Sequence, residues 1–186
     1  MKKVLALVLF AGLAVIPAMA QAQQGNVNLA SPSPQFIAFN FGVPIGVSFA
    51  VEGKTVFMSG YNFGMDFAIL DNLTIGIDHN SLSGKYEEDD GFGGTNTVQV
   101  NEQANLLRLS FAFANLNAGR LGAAFGFGQS SATNLAVSLG AFGNFMQGRS
   151  QMGIAYSLGL RVDYIAPADD LKKGTVAFVI RTSLGI

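Results

Sequence analysis

The sequence predicts an all-β fold, an eight-stranded antiparallel up-and-down transmembrane β-barrel. Three observations carry that expectation. Large apolar residues alternate with small or polar ones in segment after segment beyond residue 35. A period of two is the signature of a strand with two unlike faces. Charge is scarce, with 12% Asp, Glu, Lys and Arg, about half the share of an ordinary soluble domain. Finally, the chain opens MKKVLALVLFAGLAVIPAMAQAQ, which has the layout of a secretory signal peptide.

In that leader Lys2 and Lys3 form a basic start, Val4 to Ile16 an apolar run, and Ala18-Met19-Ala20 a small-x-small cleavage site. The run falls short of the roughly 20 residues a spanning helix needs. Cleavage is expected after Ala20, with Ala22 as the alternative. The expected organisation is a removed signal peptide at 1–20, a flexible polar lead-in at 21–34 (QAQQGNVNLASPSP), and an outer-membrane β-barrel at 35–186. There is no Cys, so neither a disulfide framework nor a lipidated cysteine is available. Two of the eleven Lys and Arg lie in the leader, leaving fewer bases than the twelve acids. A mildly acidic chain has no nucleic-acid footprint.

The strands follow in order. Ile37, Phe39, Phe41 and Val43 alternate with Ala38, Asn40 and Gly42. Pro44 predicts a bulge, because proline cannot donate to a ladder, and the strand resumes through Ile45–Val51. Glu52-Gly53-Lys54 is a tight turn. In TVFMSGYNFGMDFAIL, Phe57, Tyr61, Phe63, Met65, Phe67 and Ile69 share one face, and Asp71-Asn72 turns the chain. Leu73–His79 is the third strand. A polar, glycine-rich loop is predicted over 83–96 (SGKYEEDDGFGGTN). Val98–Phe113 is the fourth strand, 115–119 a turn, and Leu121–Gly128 the fifth. A short loop at 129–133 precedes a sixth strand at 134–142. A turn at 143–150, a strand over 152–164, a loop at 166–174 and a strand over 176–186 complete the chain. An even count puts both ends at one side, so the loops near 52–54, 83–96, 129–133 and 166–174 share the outer side.

Charge decides which face meets lipid. The large apolar stripe carries none in its strands. The small-residue face carries Asp66, Asp78, Glu102, Arg108, Arg161, Asp163 and Arg181. A base on the lipid face costs about 2–4 kcal/mol near the midplane, and acids somewhat less. Seven such errors would rival the roughly 5–15 kcal/mol that holds a domain together. The charged face therefore points inward, and these seven residues form the expected lumen charge network. The competing architecture is a secreted lipocalin-like barrel with the apolar face around a ligand; its outer surface would then be poorer in charge than soluble surfaces are.

An eight-stranded barrel is just wide enough for side chains to fill, and unpaired buried charge is costly. The interior reads either as a salt-bridged plug or as a narrow polar conduit. Gly122, Ala124, Gly126 and Gly128 leave room beside them, which a long Arg from across the lumen could occupy.

With its leader, dyad strands, short turns on one side and final strand VAFVIRTSLGI, the chain resembles the small outer-membrane barrels of the OmpX, OmpA-barrel and OmpW type over about residues 30–186. It departs from them at Ile186, where that family places an aromatic residue read by the assembly machinery. The resemblance implies a bacterial outer-membrane location. It implies as partners outer-membrane lipid, lipopolysaccharide-type glycolipid and the barrel assembly machinery. A structural or surface-interaction role follows, or, as in OmpW, passage of a small hydrophobic solute. No cofactor is expected.

One stretch allows an enzyme. His79, the single histidine, and Ser81 lie two residues apart on one face, and a base beside a hydroxyl is the minimum for nucleophilic catalysis. This His-x-Ser is similar to that of outer-membrane lipid A deacylases. The resemblance would make His79 the base, Ser81 the nucleophile, and Glu87 or Glu88 the orienting acid. The bland alternative, a polar pair at the headgroup level, is the one expected, and the chain is read as non-enzymatic. Glu87-Glu88-Asp89-Asp90-Gly91 is not a calcium loop, since Tyr86 falls where the first ligand belongs. No metal site is expected.

Overall fold

The computed structural model describes residues 37–49, 54–116, 119–131, 135–151 and 154–185. The expected signal peptide and lead-in, and the turn at Glu52-Gly53, lie outside these residues. The described chain forms β1 (Ile37–Ser48), β2 (Val56–Leu70), β3 (Leu73–Asp89), β4 (Thr95–Leu116), β5 (Gly119–Ser130), β6 (Ala136–Arg149), β7 (Ala155–Pro167) and β8 (Thr175–Gly185). Each strand pairs antiparallel with the next, and β8 returns to β1, so the sheet closes. A 3₁₀ turn, Leu171–Lys173, caps the β7–β8 loop. No described helix is long and apolar enough to cross a membrane.

Burial is inverted relative to a soluble protein. On β1, Phe39, Phe41, Val43 and Ile45 are each more than half exposed, while Asn40 and Ser48 are fully buried. On β4, Leu107, Leu109, Phe111 and Phe113 face out, and Arg108 and Ser110 face in. Apolar bands of this size are not left facing water. Arginine and aspartate are almost never buried unless paired. The outer solvent is hydrocarbon, and the pleat puts every second residue against it.

Three expectations are corrected. Pro44 makes no bulge. Gly42 opposite Asn62 and Ile45 opposite Ser59 belong to one unbroken register, although Val43 and Pro44 between them are unpaired toward β2. Toward β8, Pro44 pairs with Val179. The register sets Pro44 opposite Gly60, which has no side chain to crowd the ring, so only local bonds are lost. The 83–96 loop is mostly strand. Gly84 pairs with Val100, Tyr86 with Val98 and Asp89 with Thr95, leaving residues 90–94 as the loop. Charge there suggested a loop, but a ribbon standing clear of the rim is wet on both faces, so charge does not exclude a strand. The turn expected at 143–150 lies after Arg149 instead. β6 continues to Arg149, which pairs with Ala155, and a register shift between Asn144 and Met146 absorbs the irregular stretch.

The β3–β4 tip is built by Asp90. Its Oδ1 accepts the N–H of Phe92 at 2.8 Å and of Gly94 at 2.9 Å, and its own N–H donates to Gly94 O at 3.0 Å. Gly91 and Gly93 adopt φ of 76° and 88°, which side chains resist. These N–H bonds hold the Asp90 carboxyl below its ordinary 3.8. A carboxylate depressed in the folded tip contributes order above its ordinary pKa and loses it as pH falls through the depressed value. Protection of the Phe92 and Gly94 amides, measured by NMR against their intrinsic exchange rate at each pH, should therefore fall once pH drops below that range. Asp90→Ala should show the same loss of protection at neutral pH.

Candidate functional site

The interior is organised by two arginines and two aspartates that close a cycle. Arg108 Nε lies 2.5 Å from Asp78 Oδ2, and Arg108 Nη1 lies 3.0 Å from Asp163 Oδ1. Arg161 Nη1 lies 2.8 Å from the same Asp78 oxygen, and Arg161 Nε lies 2.6 Å from Asp163 Oδ2. Each guanidinium bridges both carboxylates, and each carboxylate joins both guanidiniums. All four side chains are at most 1% exposed. Two planar forks and two carboxylates suit each other, because Arg offers fixed parallel donors.

The strand register explains how such bulk fits. Asp78 lies directly across from Gly64, Asp66 from Gly76, and Asp163 from Gly140. A Cβ at Gly64, Gly76 or Gly140 would overlap the facing aspartate's Oδ1. Arg108 is flanked by Gly76 and Gly126, and Arg181 by Gly42 and Gly159. Charged side chains thus lie across bare backbone in the next strand.

Of the seven residues expected in the lumen network, the structure brings Asp78, Arg108, Arg161 and Asp163 into the cycle. Asp66 and Arg181 form a separate ion pair, less deeply buried. Glu102 stands apart near the loop end, where the Ser48 and Thr175 hydroxyls donate to its carboxylate. Sequence reasoning missed a buried amide system: Asn62 Nδ2 donates to Asn80 Oδ1 at 2.9 Å, and Ser183 Oγ to Asn40 Oδ1 at 2.6 Å. Its signal was present, since Asn40, Asn62 and Asn80 share parity with the inward charges. The expected use of the β5 glycines is corrected. Arg108 is the partner of Gly126 on the adjacent strand β4 and does not reach it from across the lumen; the space at Gly126 meets Ser138 Oγ, and that at Gly122 is taken by the Phe142 ring. Toward the loop end, Val56, Met58, Leu82, Ala177 and Val179 form a packed apolar cluster.

His79 and Ser81 lie on the outer face of β3. The His79 Nδ1 lies 2.7 Å from Asn105 Oδ1, with the Phe63 ring centroid 4.8 Å from the imidazole centroid. Glu87 and Glu88 do not complete a triad. They sit eight and nine residues further along the same strand, about 26–30 Å away, and Glu88 pairs with Lys54 at 3.2 Å. No cluster of three or more metal-ligating side chains occurs among the described residues.

Removing one arginine leaves two buried carboxylates sharing the remaining guanidinium, with one negative charge uncompensated, at about 3–5 kcal/mol. Arg161→Leu should show that loss in gel-mobility unfolding across a urea series in lipid vesicles. Gly64→Ala and Gly140→Ala push a methyl into the same aspartates. Each should cost about 1–3 kcal/mol in the same assay.

No protein-family model matches the sequence, and no curated protein matches it at significance. Several solved structures are similar, among them these three. A de novo designed transmembrane β-barrel gives a TM-score of 0.49 at 10% identity over 83% of this chain and 98% of that one. Ail, the attachment invasion locus protein of Yersinia pestis, gives 0.47 at 12% over 82% and 99%. The outer membrane protein AlkL, solved in DMPC bilayers, gives 0.37 at 9% over 88% and 93%. The closed ladder and inverted burial of its own residues make this chain a small eight-stranded transmembrane β-barrel.

Proposed function

We propose that the chain is an integral protein of the bacterial outer membrane with a structural or surface-interaction role, and that its lumen is a plug and not a pore. One observation carries the reading: the Arg108–Asp78–Arg161–Asp163 cycle is at most 1% exposed on every member. A conduit would leave some of these charges wet. The apolar cluster toward the loop end supports the same reading, with Val56, Met58, Leu82 and Val179 each no more than 3% exposed. A cavity of about 40 Å³ lined by Asn80, Leu82, Glu102, Ala104, Ile165 and Thr175 suits a water or two. It is too small for the hydrophobic solute of the OmpW-like alternative. Outer-membrane lipid and its glycolipid headgroups would then be contacts of the outer belt, and the assembly machinery a partner in insertion.

A non-enzymatic role is part of the proposal. His79 is engaged with Asn105, and among the described residues no acid pairs with its ring. Unchanged lipid A in cells carrying His79→Ala or Ser81→Ala, compared with wild type, is the expected result; an altered lipid A profile would restore the deacylase reading.

The refolded mature chain should migrate differently on SDS gels before and after boiling, as a closed membrane barrel does. In planar bilayers it should hold no steady conductance. A wild-type protein that conducts steadily while keeping its heat-dependent shift would overturn the plug and leave the barrel standing.

A further inference from the structure

The β3–β4 hairpin outgrows its neighbours. β2 follows β3 up to Gly84, and β5 follows β4 only from Ala104. Above those points residues 85–103 form a two-stranded ribbon, with nine residues of β4 beyond the last β5 pair. That is about 30 Å along the strand. A ribbon has two edges of unpaired backbone, and natural proteins usually blunt such edges with charge.

The two edges differ. In an antiparallel ladder, alternate residues aim their N–H and C=O at the same side. Gln103 aims both at Ser131, accepting its N–H at 2.7 Å and donating to its Oγ at 3.0 Å. The backbone groups of Asn101, Gln99, Thr97 and Thr95 therefore face that same side, where no described residue pairs with them. Every side chain there is uncharged. By the same parity the β3 edge belongs to Lys85, Glu87 and Asp89, all charged. Lys54 straps it further, lying 3.2 Å from Glu88 and 4.2 Å from the Tyr86 ring centroid. One edge is guarded and the other is open.

We propose that the open β4 edge, Thr95–Asn101, pairs antiparallel with the same edge of a second copy on an apposed membrane. The direction of the strand dictates the apposition. β4 runs from the tip toward the barrel end that holds Ala38 and Gly185. Two copies in one membrane present it running the same way, so antiparallel pairing needs tips that point at each other. The edge is self-complementary about Val98. Val98 meets Val98, Thr97 meets Gln99, Thr95 meets Asn101 and Asn96 meets Val100. The open-side backbone groups can exchange about eight hydrogen bonds, and no charges oppose each other in that seam. The acidic β3 strands become the outer borders of a four-stranded ribbon, about 14 Å apart, beyond the roughly 8 Å screening length of physiological salt. Pairing through β3 would instead set Glu87 and Asp89 of the two copies together. One seam is modest, but many copies per membrane multiply it.

This inference rests on the outer-membrane reading with the loop end facing outward. The test uses the full mature chain refolded into two populations of phosphatidylcholine–phosphatidylglycerol vesicles, one carrying a donor dye and one an acceptor. Docking is read by energy transfer and light scattering. Wild-type vesicles should dock with each other and not with protein-free vesicles. Gln99→Pro removes an N–H on the open side and none toward β3, and should slow docking about tenfold. The pair Thr97→Lys with Gln99→Lys should abolish self-docking, as should Thr97→Glu with Gln99→Glu, because position 97 of one copy faces 99 of the other. Mixing the lysine and glutamate populations should restore it. Absent wild-type docking, equal docking to protein-free vesicles, or docking indifferent to these substitutions would overturn the proposal. Loss of the heat-dependent gel shift in wild type would overturn the barrel reading as well, whereas a retained shift without docking overturns only the pairing.

Discussion

Everything in this molecule follows from putting charge inside a narrow closed sheet whose outside is hydrocarbon. A strand shows alternate residues to opposite faces, so the decision is made once for each strand and holds along its length. Lipid takes the face with Phe39, Phe41, Leu107 and Phe111, and the other face must accommodate Arg108, Arg161, Asp78 and Asp163. In an interior with little water these four have few options besides one another. A closed cycle in which every charge meets two opposite charges is the arrangement that leaves none of them alone. Such a cycle adds little net stability over a well-packed apolar core, yet it is costly to break on one side. Its consequence is geometric: two bridged guanidiniums lie across the lumen of a barrel only wide enough for side chains.

Glycine makes the arrangement fit. Inward glycines cost a strand entropy and packing, and an apolar core would favour alanine or valine at those places. Here Gly64, Gly76 and Gly140 each face an aspartate across the ladder, and Gly42, Gly126 and Gly159 border an arginine. The abundance of glycine is therefore tied to the charge pattern. Where no charge needs the space, an aromatic ring takes it, as Phe142 does over Gly122.

Parity explains what the sequence made legible. The dyad period gave the fold class, the inward charges and the outward belt, because a period of two survives even when strand ends are misjudged. It did not give the ends. The acidic run of residues 87–90 looked like loop because charge and glycine accumulate there, yet Tyr86, Val98 and Val100 kept the alternation into the ribbon. The stretch 143–150 looked like a turn because Gly143, Asn144 and Gly148 interrupt the pattern, yet a single register shift lets β6 continue. Within the site, parity placed seven charges inward but could not say which would meet. Pairing depends on the stagger between distant strands, as between Asp78 on β3 and Arg161 on β7, and no local pattern encodes that. Parity also pointed the asparagines inward, where they carried no charge to draw notice.

The same strand serves two solvents in succession, and that accounts for the ribbon. Along β4 the outward residues run Thr95, Thr97, Gln99, Asn101, Gln103 and Asn105, then change at Leu107 to Leu109, Phe111 and Phe113. On β3 the change falls between Ile77 and His79, where the imidazole meets Asn105 and leans on Phe63. Polar groups paired with an aromatic neighbour suit the boundary between acyl chain and water. Above that line hydrocarbon no longer requires every backbone group to be paired internally, so a strand can outlast its neighbours and carry an open edge. Below it, an unpaired edge would be prohibitive. The chain has a closed ladder up to the level of Ala104 and an open one beyond it. On the β4–β5 side the end of the closed ladder thus lies close to where the outward side chains change from leucine to amide.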